Sequence, residues 1–265
     1  MTDVPPWVVF HVPHDSTHVP TDVRNQFSLD DAQLEHELLA MTDHKTLDLF
    51  ASGVPQAQVI RAPVSRLVLD VERFEDDQFE PMALRGMGAV YTKTHEGQTL
   101  RHPVTSVQRH KLLEDWYRPH HAALARATKT ALQESGLAVI IDCHSFPAMP
   151  LPYEVDQTAR RPQICIGTDA FHTPTELARL LTEALESAGY DVGLDSPFSG
   201  SMVPTKYFKK DRRVISVMLE VRRDLYLIEK SGLPNGDFDR ISSVIRQCLL
   251  QALRRWHMLE FGRKS

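Results

Sequence analysis

The sequence predicts an α/β fold, a three-layer αβα domain whose central sheet is mixed and mainly parallel. Strand-like apolar runs alternate with helical patterns along the whole chain, an order that is typical of helices covering both faces of a parallel sheet. Hydrophobic residues make up 42% of the 265 residues, enough to bury a core without disulfides. Because no linker, repeat or low-complexity tract interrupts this order, we expect one domain over residues 1–265.

The strand predictions depend on short runs of β-branched and aromatic residues that end at turn-forming residues. The first run, residues 7–12, ends before Pro13, and the most apolar run, residues 137–143, ends before His144. Pro63 separates two further runs, because proline cannot donate a hydrogen bond to a neighbouring strand. The other predicted strands are residues 57–61, 64–70, 163–167, 190–194 and 214–221.

Four helices are predicted from apolar residues at helical spacing and from the residues that flank them. Ser28 is a partial N-terminal cap for the first helix, and Gly53 follows its end. Gly136 ends the second helix, and Pro174 and Gly189 bracket the third. The predicted helices are residues 28–52 with a break at Thr42–Asp43, 105–135 with an interruption at Pro119, 174–188 and 237–257.

Two long stretches, residues 71–103 and 146–162, show no regular period. Loops of this length inside a domain are usually functional. We therefore expect both stretches to lie near a site, and the first is a candidate lid over it.

Charge and composition argue against several classes of protein. The formal net charge is −5, which provides no basic field for nucleic acid, and no apolar run is long enough to cross a membrane. The N-terminal residues lack a charged leader, so we predict a cytoplasmic protein. The three cysteines show no paired spacing and are interpreted as reduced residues rather than disulfides or a zinc knuckle.

Two histidines and a glutamate stand at the ends of three predicted strands. His14 follows the first strand, His144 follows the strand at 137–143, and Glu220 ends the strand at 214–221. Open α/β sheets form their sites beyond the carboxyl ends of the strands, so these side chains should meet at one edge. Catalytic zinc takes three protein ligands, histidines and carboxylates among them, and leaves a position open. The pattern therefore predicts a zinc hydrolase that acts on a small molecule.

The third ligand is left open by the sequence. The candidate carboxylates are Asp15, Asp43, Glu72 and Glu75. A helix cap is the competing role for Asp43. Strand alternation puts Asp142 on the same side as His144, where a carboxylate could fix the histidine tautomer. His120 and His121 have no evident partner and are interpreted as helix-surface or core residues.

Glu220 and two arginines suggest the remaining roles. A buried carboxylate beside an activated water acts as general base and then as general acid, whereas an ion pair with Arg222 or Arg223 is the competing interpretation of Glu220. Arg66 and Arg73 could bind a substrate carboxylate through their guanidinium forks, with solvent exposure as the alternative. No serine-hydrolase elbow, phosphate-binding loop or dinucleotide fingerprint occurs.

In their order along the chain, these elements resemble the motifs of the N-formylglutamate amidohydrolase (deformylase) family, which is similar in fold to zinc carboxypeptidases and aspartoacylases. The resemblance covers nearly the whole chain, and the ordered set is more specific than any single motif. The matching segments are Pro13-His14-Asp15-Ser16, Thr42-Asp43, residues 65–73, residues 117–121, Asp142-Cys143-His144-Ser145, Gly167-Thr168, residues 197–201, and Leu219-Glu220 with Tyr226. Three positions depart from the family pattern: Ser16 and Ser201 replace glycines, and Glu72 replaces an asparagine.

The resemblance implies a zinc-dependent hydrolase of the amide C–N bond in a small N-formyl or N-acyl amino acid. The residues that it assigns are His14, Asp43 and His144 as ligands of one zinc ion, Glu220 and Arg66 in catalysis, and Arg73, Ser145 and Gly200 in substrate binding. A carboxypeptidase-like enzyme and another N-acyl amino acid deacylase are alternatives. A non-catalytic protein that binds a small ligand or a partner is a third. The sequence makes no prediction of oligomeric state.

Overall fold

A six-stranded sheet organises the residues that the computed structural model describes, 4–158 and 160–262. The strands are β1 (Val8–Val12), β2 (Val59–Arg61), β3 (Ala138–Phe146), β4 (Ile164–Gly167), β5 (Val192–Leu194) and β6 (Val214–Arg222), with β7 (Leu227–Ile228) and β8 (Leu233–Pro234) in a separate ribbon. The strand order in the sheet is β2-β1-β3-β6-β4-β5. Neighbouring strands are parallel except β4 and β6, which are antiparallel. The sheet is therefore mixed and mainly parallel, as predicted.

Helices cover both faces of this sheet. They are α1 (Thr21–Arg24), α2 (Asp31–Met41), α3 (Thr46–Ala51), α4 (Ser106–Leu112), α5 (Arg118–Ser135), α6 (Thr175–Ser187) and α7 (Phe238–Phe261). Apolar residues of α3, α6 and α7 pack against one face of the sheet, and Leu124 and Ala131 of α5 pack against the other. The predicted three-layer arrangement is confirmed. Within the described residues, no helix combines the length and the apolarity needed to span a membrane.

The sheet face under α5 changes from apolar to polar along the strands. Successive side chains of a strand point to opposite faces, so Val9 packs near α5 while the next residue on that face is His11. His11 is the register partner of Asp142 in the neighbouring strand β3. His144, two residues further along β3, is in turn the partner of Glu220 in β6. The polar end of this face, at the carboxyl ends of the strands, is where a site can form.

Residues 64–70 form a buried turn, and the strand predicted there is wrong. The N–H groups of Val68 and Leu69 both donate to the carbonyl of Ser65, and the N–H of Leu67 donates to Ser65 Oγ at 3.1 Å. The apolar side chains pack in a second core cluster with α2 and with residues around 87–100. A short apolar run indicates that a segment is buried, but it does not by itself show that the segment is a strand. The turn carries Arg66 to the edge of the sheet.

Two helix boundaries differ from the prediction. Asp30, and not Ser28, caps α2: its side chain accepts from the N–H of Gln33, whose side chain accepts from the N–H of Asp30. The interruption expected at Pro119 is a π-helical turn over Leu113–Tyr117. Pro119 lies directly after this turn, as the second residue of α5, and the backbone keeps right-handed helical angles at Leu112, Tyr117 and Arg118, so the helix continues through the proline.

Candidate metal centre and catalytic site

The carboxyl ends of β1 and β3 meet the break between α2 and α3. His14 lies two residues beyond β1, His144 lies near the end of β3, and Asp43 lies in the break. The Asp43 N–H donates to the His14 carbonyl at 2.9 Å, which ties the two segments together. Asp43 Oδ2 is 3.6 Å from His14 Nδ1 and 3.2 Å from His144 Nδ1. The structure thus brings together the three residues that the resemblance assigns to a metal.

The second nitrogen of each imidazole ring faces a different carboxylate. His14 Nε2 lies 2.9 Å from Asp70 Oδ1, and His144 Nε2 lies 3.1 Å from Asp142 Oδ1. Metal-binding histidines usually donate the ring N–H that does not face the metal to such a carboxylate. This arrangement leaves the Nδ1 atoms of both rings on the side of Asp43.

Glu72 forms a competing ligand group with the same histidines. Its carboxylate oxygens lie 3.2 Å from His144 Nε2 and 3.8 Å from His14 Nε2. The donor atoms of these three residues all lie within 4.8 Å of one another, and so do those of Glu72, His11 and Asp142. Two carboxylates, Asp43 and Glu72, therefore reach the histidines from opposite sides of their rings.

The electrostatics of the site fit a bound cation. His14 Nδ1 is buried and has no hydrogen-bond partner within residues 4–158 and 160–262. Burial disfavours a charge on His144, yet the carboxylates of Glu72 and Asp142 raise its pKa well above the usual value. Burial likewise opposes ionisation of Asp43, but the two neighbouring histidines and the guanidinium of Arg223 hold its pKa well below the usual value. The site thus stabilises positive charge, and its imidazole and carboxylate donors suit zinc.

Glu220 lies beside His144, because the two residues are register partners in adjacent strands. Its side chain is buried, and its Oε2 atom has no hydrogen-bond partner in the described part of the chain. Burial raises the pKa of Glu220 to about 8, although the nearby His144 opposes the shift. Arg222 and Arg223 form ion pairs with other carboxylates, so the ion pair considered for Glu220 is wrong.

Arg66 and Arg73 both line the site, but they differ in hydrogen bonding and in exposure. Arg66 is fixed by Asp70, 2.9 Å from its Nη2, and by the hydroxyl of Tyr91, 3.1 Å from its Nε. Arg73 is more accessible, with 24% of its side chain exposed, and its closest carboxylate oxygen, on Asp70, is 3.6 Å away. Arg73 Nε is buried without a hydrogen-bond partner among the described residues. Arg73 is therefore the better placed of the two to bind an incoming carboxylate.

Arg223 lies in the candidate site, although the sequence analysis considered it only as a possible ion-pair partner of Glu220. Its Nη2 donates to Asp43 Oδ1 at 2.9 Å and its Nε donates to Ser145 Oγ at 3.2 Å. One oxygen of Asp43 is thus held by a guanidinium while the other faces the two histidines. Arg223 lies 180 residues from Asp43 in sequence, so no local pattern indicates the contact.

A cavity of about 440 Å³ opens over these residues. Its polar lining includes His14, Asp43, Arg66, Glu72, Arg73, His144, Ser145, Glu220 and Arg223. Its apolar lining includes Met82, Phe146, Leu151, Phe198 and Met218. Both irregular stretches, 71–103 and 146–162, contribute wall residues, as expected for functional loops.

Three candidate residues lie away from the centre. Asp15 pairs with Arg61 at 3.2 Å, and Glu75 pairs with Arg118 at 2.8 Å. Neither carboxylate lines the cavity, so two of the four candidate third ligands are not positioned for that role. Gly200 follows the cavity residues Phe198 and Ser199 with a φ of 89°, and it does not itself line the cavity.

Behind His144 lies a buried pair of histidines that the sequence analysis did not assign to the site. His11 Nδ1 is 2.7 Å from Asp142 Oδ1, and His11 Nε2 is 2.8 Å from His120 Nε2. Of the two interpretations of His120, helix surface or core, the structure confirms the core one, because the side chain is buried. One signal could have indicated the cluster: His11 is a polar residue within the otherwise apolar first strand, and a buried polar side chain needs a partner.

Comparisons with known proteins find similar sequences and similar folds. A sequence model described as N-formylglutamate amidohydrolase matches residues 7–227. An N-formylglutamate deformylase from Pseudomonas putida is 28% identical over 207 residues, 76% of each chain. The crystal structure of an N-formylglutamate amidohydrolase from Ralstonia eutropha JMP134 shares the fold with a TM-score of 0.80 and 22% identity, covering 94% of this chain and 93% of the other. A gene product of Agrobacterium tumefaciens has a TM-score of 0.69 and 20% identity, covering 95% and 92%.

Proposed function

Because the chain belongs to the N-formylglutamate amidohydrolase family, we propose that it is a zinc-dependent hydrolase of the amide C–N bond in a small N-formyl or N-acyl amino acid. One observation carries the proposal: two histidines direct their Nδ1 atoms at one carboxylate, beside a buried glutamate and under a cavity. The similar Pseudomonas putida protein is named a deformylase of N-formylglutamate. N-formylglutamate is therefore the first substrate to test.

We assign His14, Asp43 and His144 as the metal ligands. The Nδ1 atoms of both histidines face Asp43, while their Nε2 atoms are engaged by other carboxylates. Glu72 is the competing third ligand, but it faces those engaged Nε2 atoms. Held by these three residues, a zinc ion would supply the Lewis acidity that lowers the pKa of water and polarises a carbonyl oxygen.

Glu220 is proposed to carry the proton from the attacking water to the leaving amine. Its Oε2 has no competing partner among the described residues and can accept a proton. Burial raises its pKa to about 8, and a proton carrier works best when its pKa lies near the working pH. As the water attacks the amide carbon, Glu220 takes its proton. As the C–N bond breaks, Glu220 gives that proton to the nitrogen, which releases a carboxylic acid and a free amine.

The arginines and Ser145 are proposed to orient the substrate. Arg73 has the accessible guanidinium and would bind the α-carboxylate of the N-acyl amino acid through two parallel hydrogen bonds. Arg66 is buried and held by Asp70, so it can stabilise negative charge that develops on the amide oxygen without moving first. Ser145 lies in the cavity lining and is held there by Arg223, from which its hydroxyl oxygen accepts a hydrogen bond.

One observation favours an N-acyl amino acid with an uncharged side chain as a second candidate substrate. Glu72 lines the cavity, and its ion-pair partners within the described residues are the histidines of the site and no lysine or arginine. A second carboxylate on the substrate would meet this negative charge. The matched comparison is N-formylglutamine against N-formylglutamate, which differ in that charge alone. A higher kcat/KM for the amide would support the uncharged class.

The proposed function is tested by hydrolysis of N-formylglutamate and a panel of N-formyl and N-acyl amino acids. We expect turnover that is lost with a chelator and restored by zinc. Glu220→Gln should lose at least about 100-fold in kcat, the lower range for a general acid–base group, and should retain bound zinc. Glu134→Gln, at an exposed position of α5, is the matched control. Full activity of Glu220→Gln, or no turnover of any substrate by the zinc-loaded wild type, would contradict the proposal.

A further inference from the structure

We propose that His11 and His120 are positioning residues that orient His144 for metal binding through the Asp142 carboxylate. The inference rests on the proposed function, because it concerns the ligand His144. The four side chains form one continuous buried chain of contacts from α5, across β1 and β3, to the candidate metal centre. Their consequence is a fixed ring orientation for His144.

The backbone register explains why these side chains meet. His11 and Asp142 are direct partners in the parallel pair of β1 and β3, so their side chains leave the same face of the sheet next to each other. His144 leaves that face two residues later. His11 is 0% exposed, and Asp142 and His144 are nearly as buried. Water therefore cannot substitute for a missing partner, and each contact must be made by protein atoms.

Both carboxylate oxygens of Asp142 accept hydrogen bonds. Oδ1 lies 2.7 Å from His11 Nδ1 and 3.1 Å from His144 Nε2, and Oδ2 accepts from the N–H of Met202 at 2.8 Å. A carboxylate can only accept, so each histidine must present an N–H to Oδ1. His144 then carries its proton on Nε2 and keeps the lone pair of Nδ1 on the side of Asp43, as a metal ligand requires.

The contact between His120 and His11 holds His11 in the orientation that lets it donate to Asp142. With Nδ1 of His11 donating to Asp142, its Nε2 accepts from the Nε2–H of His120 at 2.8 Å. The remaining nitrogen of His120, Nδ1, then carries a lone pair and no proton, and it has no hydrogen-bond partner in the described ranges. Burial and the neighbouring histidines hold the pKa of His120 well below the usual value, which agrees with a neutral ring that has one N–H.

A purely structural role would not need this arrangement. Three imidazoles and a carboxylate in a buried cluster cost more to desolvate than apolar side chains of similar volume, which often stabilise a fold equally well or better. The contacts are instead those that support a metal ligand from behind. Loss of such a supporting partner typically lowers metal affinity by about 10- to 100-fold.

The test is zinc affinity, measured by competition with a chromophoric chelator, together with the thermal unfolding temperature of the zinc-free proteins. His11→Phe removes the donor to Asp142, whereas His11→Asn keeps an N–H group near the position of Nδ1. We expect His11→Phe to lose about 10- to 100-fold in zinc affinity and His11→Asn to remain within about threefold of wild type. His172→Phe is the control, because His172 is equally buried, uses both ring nitrogens and does not line the cavity. It should lower stability without changing zinc affinity.

The outcomes separate this inference from the proposed function. A wild type that binds no zinc would overturn the proposed function and the inference with it. A wild type that binds zinc, with His11→Phe binding equally tightly or His11→Asn losing as much as His11→Phe, would overturn the inference alone. If His11→Phe does not fold, His120→Phe against His120→Gln makes the same comparison one contact further back. Glutamine can still donate to His11, so only the phenylalanine variant should lose affinity.

Discussion

Replacing Glu220 with glutamine is expected to stabilise the metal-free protein while removing its proton carrier. The fold raises the pKa of this buried carboxyl from 4.5 to about 8. Above about pH 4.5 the unfolded chain therefore releases a proton that the folded protein keeps until about pH 8, and the stability of the wild type falls as the pH rises between these values. The slope is about 1.4 kcal/mol per pH unit, so the accumulated cost at neutral pH is about 3 kcal/mol.

Urea unfolding of the metal-free proteins at about pH 5 and about pH 7 measures this cost. Glutamine has nearly the same shape and does not ionise, so any penalty for burying its amide is the same at both pH values. We expect the stability advantage of Glu220→Gln to grow by about 2 to 3 kcal/mol from the lower pH to the higher one. Glu134→Gln, on the exposed side of α5, should show no such growth. If the difference in unfolding free energy between Glu220→Gln and the wild type is the same at both pH values, the reasoning is refuted.

Three further predictions follow from other parts of the site and core. Arg73→Ala is expected to raise KM for an N-acyl amino acid at least about tenfold, and Arg73→Lys should not restore it because the bidentate fork is lost; steady-state kinetics measure both, and an unchanged KM would contradict the assignment. Arg223→Met should destabilise the zinc-free protein by about 3 to 5 kcal/mol, since it leaves the buried Asp43 carboxylate without its guanidinium; a loss below about 1 kcal/mol would argue against that pair. Cys165 is buried and burial raises its pKa to about 12, so it should react with a thiol reagent only after denaturation, and rapid labelling of the native protein would contradict this.

The sequence predicts the sheet and most of the site because both depend on local patterns. Strand alternation and turn residues place His14, His144 and Glu220 at strand ends, and the break between two helices supplies Asp43. The run at 64–70 misleads for a physical reason: its apolar side chains are buried under a loop cluster, and burial without periodicity does not distinguish a turn from a strand.

The missed residues depend on contacts between distant segments. Arg223 joins the site through Asp43, and His11 joins it through a strand register that a single sequence does not specify. The choice between Asp43 and Glu72 as ligand also depends on which ring nitrogen each one faces. Such information exists only once the chain is folded.

The central claim, a zinc centre formed by His14, Asp43 and His144, is tested most directly by the metal content of purified variants. Elemental analysis of the wild type should give about one zinc ion per chain. His14→Ala, His144→Ala and Asp43→Asn should lose it, and Glu72→Gln should retain it. A wild type that holds no zinc after zinc is supplied, or a Glu72→Gln protein that loses the metal while Asp43→Asn keeps it, would contradict the account.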